Sequence, residues 1–366
     1  MLTPQQRFAG CLLGGAVGDA LGAPVEFMIR EQILSRFGPD GITDYAPAYG
    51  GLGTITDDTQ MTLFTAEGLL RAWVRLSYKG ITTYSGVTAH AYLRWLLTQG
   101  VNPTCELIDH NSNPGWLFQQ RELHHRRAPG NTCLDALATM PHLGAPATND
   151  SKGCGGVMRV APVGLFAWRL YGRDNPHETF QLATEIAALT HGHPTGSLTA
   201  GVFAVLIQLL TDGAILSDAL STAITVLQEY PDHAETLHAL QLAQDLAATD
   251  LPPIDAITRL GQGWIAEEAL AISVYCALVA TDFRSAIIMA VNHEGDSDST
   301  GAITGNLLGA MRGLETIPPE WLEPLELRDV ITELATDLYE FADWDIGEHD
   351  DETALSRRIW EKYPGY

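Results

Sequence analysis

Two runs of glycine at four-residue spacing constrain this chain more than any other feature. Gly10, Gly14, Gly18 and Gly22 make the first run, and Gly301, Gly305, Gly309 and Gly313 the second. In a helix, residues four apart lie on one face, so each run is a glycine stripe. A glycine inside a helix costs about 1 kcal/mol relative to alanine. Four in one helix therefore require a physical reason, and close approach of two backbones supplies one. Membrane helices pack through such faces; with no membrane span evident here, the analogy is geometric only. The expectation is two central, tightly crossed helices. The plainer alternative is two unrelated glycine-rich helices.

The remaining pattern is helical almost throughout. Apolar residues recur at three and four, and strand-like alternation is scarce. The spacing predicts helices near 5–22, 57–77, 84–98, 176–190, 195–212, 216–229, 233–248, 265–280, 283–292 and 299–313. Start signals support several, among them "SDALSTAITVLQ" from Ser217 and the prolines of "PPIDAITRL". No linker rich in Ser, Pro or charge divides the chain. The predicted architecture is all-α, a single compact helical domain over residues 1–366, with C-terminal helices and an acidic segment in 314–366. Residues 99–131 read as irregular, and a segment that long is usually functional or mobile. Residues 337–352 read as a solvated acidic tail.

With 45 acidic against 21 basic residues, the net charge is −24. Direct nucleic-acid binding is not expected, because it needs a positive surface. The same argument disfavours anionic membranes, and the apolar run "ALAISVYCALVA", 12 residues, is too short to span a bilayer. Cys11, Cys105, Cys133, Cys154 and Cys276 are odd in number and form no CxxC, which points to free thiols. The N-terminus lacks the features of a secretory signal. The expected location is the cytoplasm.

Two acidic clusters carry the chemistry. "TDDT" holds Asp57 and Asp58, and "GDSDST" holds Asp296 and Asp298, each before an apolar run. Taken singly, each is well explained as a helix cap. Taken together, four carboxylates with flanking hydroxyls form an all-oxygen ligand set. Such sets favour Mg²⁺, Mn²⁺ or Ca²⁺ over Zn²⁺, and two divalent ions would balance the four charges. The usual two-metal arrangement bridges a substrate oxygen and a water. Glu26, in "GDALGAPVEF", sits where the first glycine helix exits, and is otherwise an ordinary surface glutamate. "SKGCGGVMRVAPVG" places Gly153, Gly155 and Gly156 in a loop whose backbone N–H groups suit phosphate; a plain turn explains it equally. His191, in "ALTHGHPTG", lies between helices, where a structural role is the default.

The set "GCLLGGAVGDALGAPVEF", "TDDTQMT", "RAPGNTC", "GCGGVMRVAPVGLF", "LTHGHP" and "GDSDSTGAITGNLLGA" resembles the ADP-ribosylglycohydrolases. The motifs stand in family order between residues 10 and 313. The resemblance implies an all-α hydrolase that holds two Mg²⁺, with Mn²⁺ as a substitute, and removes ADP-ribose from modified side chains. It implies Thr56, Asp57, Asp58, Asp296, Asp298 and Ser299 as metal ligands, Ser299 standing where the family usually has threonine. It assigns Glu26 and Asp298 to catalysis, with Glu26 as base or gate. It places Asn131, Gly153, Gly155, Gly156, Met158 and His191 at the substrate. The implied partner is an ADP-ribosylated protein, with ADP-ribose as product ligand.

One position departs from the bacterial ADP-ribosyl-arginine type. Where those members place the aspartate of Asp-Ile-Gly-Asn-Thr, this chain has Ala128, in "APGNT". A guanidinium leaving group wants a carboxylate partner, so arginine linkage is not secured. Hydrolysis of O-acyl-ADP-ribose or another small N-glycosyl compound is the alternative. A noncatalytic relative is the third reading, and the four standing aspartates count against it.

Overall fold

The computed structural model describes residues 2–107, 114–347 and 353–365. The first helix, Pro4–Gly22, starts as its sequence dictates. Thr3 caps it, Pro4 fixes its first turn, and Gln6 closes a reciprocal capping box. Among the described residues there are 17 α-helices, five short 3₁₀ turns and no strand beyond isolated bridges.

The first helix and the Ser297–Arg312 helix form a central antiparallel pair. Gly10 meets Gly309, Gly14 meets Gly305, Gly18 meets Gly301, and Gly22 meets Ser297. A methyl group on Gly18 would lie 2.0 Å from the Gly301 carbonyl oxygen, and one on Gly305 1.9 Å from that of Gly14. The stripes therefore serve backbone-to-backbone contact, as their spacing predicts. One side chain enters the seam. Asn306 fills the space beside Gly15 and donates Nδ2–H to the Cys11 carbonyl at 2.8 Å.

Around this pair the other helices bury a continuous apolar core. Pro194–Thr211 is long and apolar enough to cross a membrane, but 94% of it is buried inside the protein, where it packs between helices. All ten predicted helices are present, with ends within about two residues of the expected ones. Leu216–Leu227 begins one residue before Ser217, with Ile215 as its unassisted cap.

Helices at Arg30–Phe37, Asn131–Ala138 and Ala161–Tyr171 escaped the sequence reading; Pro253–Leu260 starts at the prolines of "PPIDAITRL", and Pro319–Leu322, Arg328–Glu340 and Ala354–Lys362 fall within 314–366, where C-terminal helices were expected without bounds. Arg30–Phe37 and Asn131–Ala138 are short, and Ala161–Tyr171 is apolar along most of its length, which removes the amphipathic signal. The acidic tail is a correction. Residues 337–340 end a helix, and Leu338 and Phe341 are fully buried. Phe341 stacks on Phe166 with ring centroids 4.4 Å apart. Asp337 accepts from Tyr363 and pairs with Lys362. The apolar residues set among the acids hold this stretch against the core. The rest of the predicted tail, 348–352, lies outside the described residues. In the 99–131 stretch the expected irregularity holds apart from two 3₁₀ turns, Leu117–Gln119 and Arg121–His124; residues 108–113 lie outside the described residues.

Candidate active site

The antiparallel seam decides where the site is. It sets the C-terminal end of the first helix beside the N-terminal end of Ser297–Arg312. The chain leaves the first helix through a turn that carries Glu26. Asp19, fully buried one turn before that exit, gathers the start of a third helix, Asp57–Lys79. Its carboxylate accepts from the backbone N–H groups of Thr56 and Thr59, at 3.0 and 3.1 Å, and from both hydroxyls. Three helix ends thus converge, two of them presenting the positive ends of their dipoles.

From this frame the acids meet. Carboxylate oxygens of Glu26, Asp296 and Asp298 all lie within 4.8 Å of one another. Ser299 Oγ donates to Asp58 Oδ1 at 2.8 Å, which joins the two clusters. Asp58, like Asp57, lines the same cleft. Asp296 is held by its backbone N–H to the Gln262 carbonyl, at 2.8 Å. Arg127 fixes the other cluster from behind its backbone. It donates to the Ile55 carbonyl at 2.8 Å, its own carbonyl accepts from Asp57 N–H, and it pairs with Glu326.

Electrostatically the cluster is under repulsion. Burial first, and then the charges of Asp298, Asp296 and Asp57, push the Glu26 carboxyl up to about 12. Asp57, Asp58 and Asp296 are driven well above the usual carboxylate range by burial and then by Asp298. Asp19 is raised to about 7 by burial and Asp298, against the hydrogen bonds it accepts. Among the described residues none of these carboxylates joins an ion pair. Glu26 is 6% exposed, and its Oε2 is a buried acceptor with no hydrogen-bond partner. Dense, buried, unpaired oxygen ligands fit hard divalent cations.

The predicted residues do not all share this cleft. Glu26, Asp57, Asp58, Asp296, Asp298, Ser299, Gly153, Gly155, Met158 and His191 line it. Thr56 is not in its wall: it is fully buried, donates to Asp19 and caps Asp58 N–H at 3.3 Å. Gly156 packs against the Gly196 carbonyl instead. Asn131 is exposed, and its neighbours Gly130 and Thr132 line the cleft. His191 contacts the glycine loop so closely that a methyl on Gly155 would lie 3.0 Å from its Cε1. Burial, then the Arg159 charge, pulls its pKa down to about 3, so its imidazole is neutral. Its Nδ1 shares a hydrogen bond with Thr190 at 2.8 Å.

Several residues of the site were not singled out from sequence. Asp19 had one signal, a lone acid inside a glycine-striped helix. Cys154 had none; its Sγ donates to Asp296 Oδ2 at 2.8 Å. Trp264 lines the cleft and stacks on exposed Phe27 at 5.9 Å. Ala128 also lines the cleft, with φ +53° in the left-handed region that non-glycine residues seldom adopt.

Comparison with known proteins agrees with this geometry. The ADP-ribosylglycohydrolase family model matches residues 1–346. The ADP-ribosyl-[dinitrogen reductase] glycohydrolase of Rhodospirillum rubrum is 27% identical over 88% of this chain and 91% of its own. The ADP-ribosylarginine hydrolase Tri1 of Pseudomonas putida is 25% identical over 93% and 81%. Among solved structures, an ADP-ribosylglycohydrolase-related protein complex superposes with a TM-score of 0.62 at 26% identity, covering 93% of this chain and all of that one. With the family model matched over nearly the whole chain and named hydrolases among its relatives, this protein is a member of the ADP-ribosylglycohydrolase family, a glycosidic-bond hydrolase.

Proposed function

We propose that this chain hydrolyses the bond at C1″ of ADP-ribose attached to a protein side chain, with two Mg²⁺ in the acidic cleft and Mn²⁺ as a substitute. The observation that carries the reading is the unpaired carboxylate group of Glu26, Asp296 and Asp298, joined to Asp58 through Ser299. Asp57, Asp58, Asp296 and Asp298 would hold the ions, with Ser299 and Thr56 as hydroxyl ligands or supports. When bound, the ions neutralise the cluster and polarise the hydroxyls of the distal ribose.

The chain's own residues do the rest. Oε2 of Glu26 has no hydrogen-bond partner, and once bound cations offset the neighbouring carboxylate charges that keep this group protonated, it is the acceptor for a proton from the attacking water. Asp298 is the alternative base. Both carboxylates also stabilise the positive charge that develops at the anomeric carbon. Neutral His191 offers a hydrogen bond without adding charge. Gly153 and Gly155 leave the cleft wall free of side chains, where a diphosphate fits against backbone. The local cations resolve how a chain of net charge −24 accepts an anionic ligand.

At the leaving-group side, Ala128 provides no carboxylate for a guanidinium. The arginine linkage of the Tri1 relative is therefore one arm of the question and not its answer. O-acyl-ADP-ribose or a small N-glycosyl compound is the competing substrate class. The five free cysteines support a reducing compartment, the cytoplasm.

The test is ADP-ribose release from ADP-ribosylated arginine, serine, O-acyl and nucleic-acid substrates, with Mg²⁺ and with EDTA. Release that needs Mg²⁺ and favours one protein linkage supports the reading. Full activity in EDTA overturns the two-metal mechanism, and activity on O-acyl-ADP-ribose alone moves the substrate to the second class.

A further inference from the structure

Behind the cleft, one ion pair ties together two walls that lie far apart in the chain. The first wall is the segment 53–57, which is extended at Thr56 and delivers Asp57 to the acidic cluster. Along one edge of this segment, every bond goes to Glu326 or Arg127. Glu326 N–H donates to the Gly53 carbonyl at 2.9 Å. Ile55 N–H donates to Glu326 Oε2 at 3.2 Å, and the Ile55 carbonyl accepts from Arg127 Nη1 at 2.8 Å. Asp57 N–H donates to the Arg127 carbonyl at 3.3 Å. The Arg127 guanidinium also grips Glu326 with both terminal nitrogens, Nη1 to Oε2 and Nη2 to Oε1, the latter at 2.8 Å. An extended chain alternates its sides residue by residue, and Thr56 accordingly turns its N–H to Asp19 on the other side. The second wall starts at the residue after Arg127. Ala128, in its left-handed conformation, and then Gly130 line the cleft.

A pair this deep is a poor device for stability alone. Arg127 is 4% exposed, and its Nε is a buried donor without a partner. Desolvating two charges often costs as much as their attraction returns. What the fork does supply is planar, two-point geometry. We propose that Glu326 is a positioning residue, which through Arg127 sets the spacing between Asp57 on the metal side and Ala128 on the leaving-group side. The inference rests on reading the cleft as the site of ADP-ribosyl hydrolysis. Neither Arg127 nor Glu326 is in the cleft wall, so each acts through the backbone it holds. Arg127 holds Ile55 with its guanidinium and Asp57 with its carbonyl, and it cannot tilt without moving one wall against the other. Glu326 lies beyond the last sequence motif, so the C-terminal segment takes part in the site without lining it.

Glu326→Gln tests this, because it keeps the shape of the side chain and removes its charge and one acceptor. Glu323→Gln, at an exposed acid of the same segment, controls for lost charge. All readouts are taken well below the unfolding transition of each protein. Hydrogen–deuterium exchange of the metal-free Glu326→Gln protein should quicken at 53–58 and 127–133 together, and stay at the wild-type rate in Glu323→Gln. Calorimetry should give Mg²⁺ binding roughly 10- to 100-fold weaker, the range for loss of an outer partner of a metal site. The ratio of kcat/KM between ADP-ribosyl-arginine and ADP-ribosyl-serine should shift roughly tenfold, because a displaced wall holds the two leaving groups differently. Glu326→Asp, which restores the charge at shorter reach, should recover part of each loss. Arg127→Lys, which keeps the charge without the fork, should reproduce the losses and serves if Glu326→Gln does not fold. A lower Tm with exchange, Mg²⁺ affinity and linkage ratio all at wild-type values overturns the proposal and leaves the pair structural. Faster exchange in one wall without the other also overturns it. If the unaltered protein neither binds Mg²⁺ nor releases ADP-ribose, the functional reading fails by itself, and the exchange rates still decide whether Glu326 holds the two walls together.

Discussion

The glycine seam and the acidic cleft at its end solve opposite packing problems. Along the seam the chain removes side chains so that two backbones touch, with Gly14 and Gly18 against Gly305 and Gly301. In the cleft it crowds carboxylates that repel one another. The contrast teaches that the first makes the second tolerable. Carboxylates on mobile elements would spread apart, whereas here Asp298 stands on one seam helix and Glu26 on the short turn that leaves the other.

The largest effect tests the cleft alone. Asp298→Ala is expected to lower Mg²⁺-dependent release of ADP-ribose roughly 10³-fold, with helical circular dichroism unchanged. A coincident loss of helicity would mean that the cleft holds the seam together and not the reverse.

Next is the seam. Gly18→Ala or Gly305→Ala is expected to destabilise the protein by about 3 kcal/mol or more, because the added methyl meets a carbonyl oxygen it cannot displace. Urea unfolding measures it. Gly347→Ala, whose methyl would lie 3.7 Å from its nearest neighbour, is the control and should stay within about 0.5 kcal/mol. Wild-type stability in Gly18→Ala would show that the helices separate easily and would remove the rigid frame.

Repulsion in the cleft also predicts how stability depends on pH. The carboxyls are raised in the folded state, so folding takes up protons, and their contribution is full below the usual carboxylate range and falls as pH rises. For Asp19 the loss runs from its ordinary value near 3.8 up through about 7. In EDTA the Tm should drop from about pH 5 to about pH 8. Mg²⁺ at about 100 times its Kd adds about 2.7 kcal/mol, and its effect should grow toward high pH, where the carboxylates are ionised. An EDTA melting curve that does not depend on pH would mean that the cluster is not strained.

The smallest expected effect lies at the rim. Ala128→Asp supplies a carboxylate at a left-handed position that aspartate tolerates better than alanine. It should change stability by less than about 0.5 kcal/mol and raise turnover of ADP-ribosyl-arginine relative to other linkages roughly tenfold, about 1.5 kcal/mol for one charged hydrogen bond. No change in that ratio would separate Ala128 from the leaving group.

Much of this was legible because it is periodic or clustered. Four-residue glycine spacing foretold the seam, and the two aspartate pairs foretold a shared site. Asp19 was harder to see, because its role is to bind Thr56 and Thr59, about forty positions away, and no local pattern encodes that. Cys154 and Trp264 were invisible for the same reason: their neighbours Asp296 and Phe27 come from distant segments. The buried end of the acidic tail was misread because charge dominates composition there, while Leu338 and Phe341 decide where it goes.

A ladder that repeats every four residues has a weakness: it does not know its own register. Sliding one helix by a single repeat, about 6 Å, would again lay glycine on glycine while carrying Asp298 away from Glu26. Asn306 removes the ambiguity. It fits only beside Gly15, and one repeat either way it would face Cys11 or Asp19, which carry side chains. The seam is thus a ratchet with one keyed tooth, and the amide of Asn306 matches the register that brings Asp298 to Glu26.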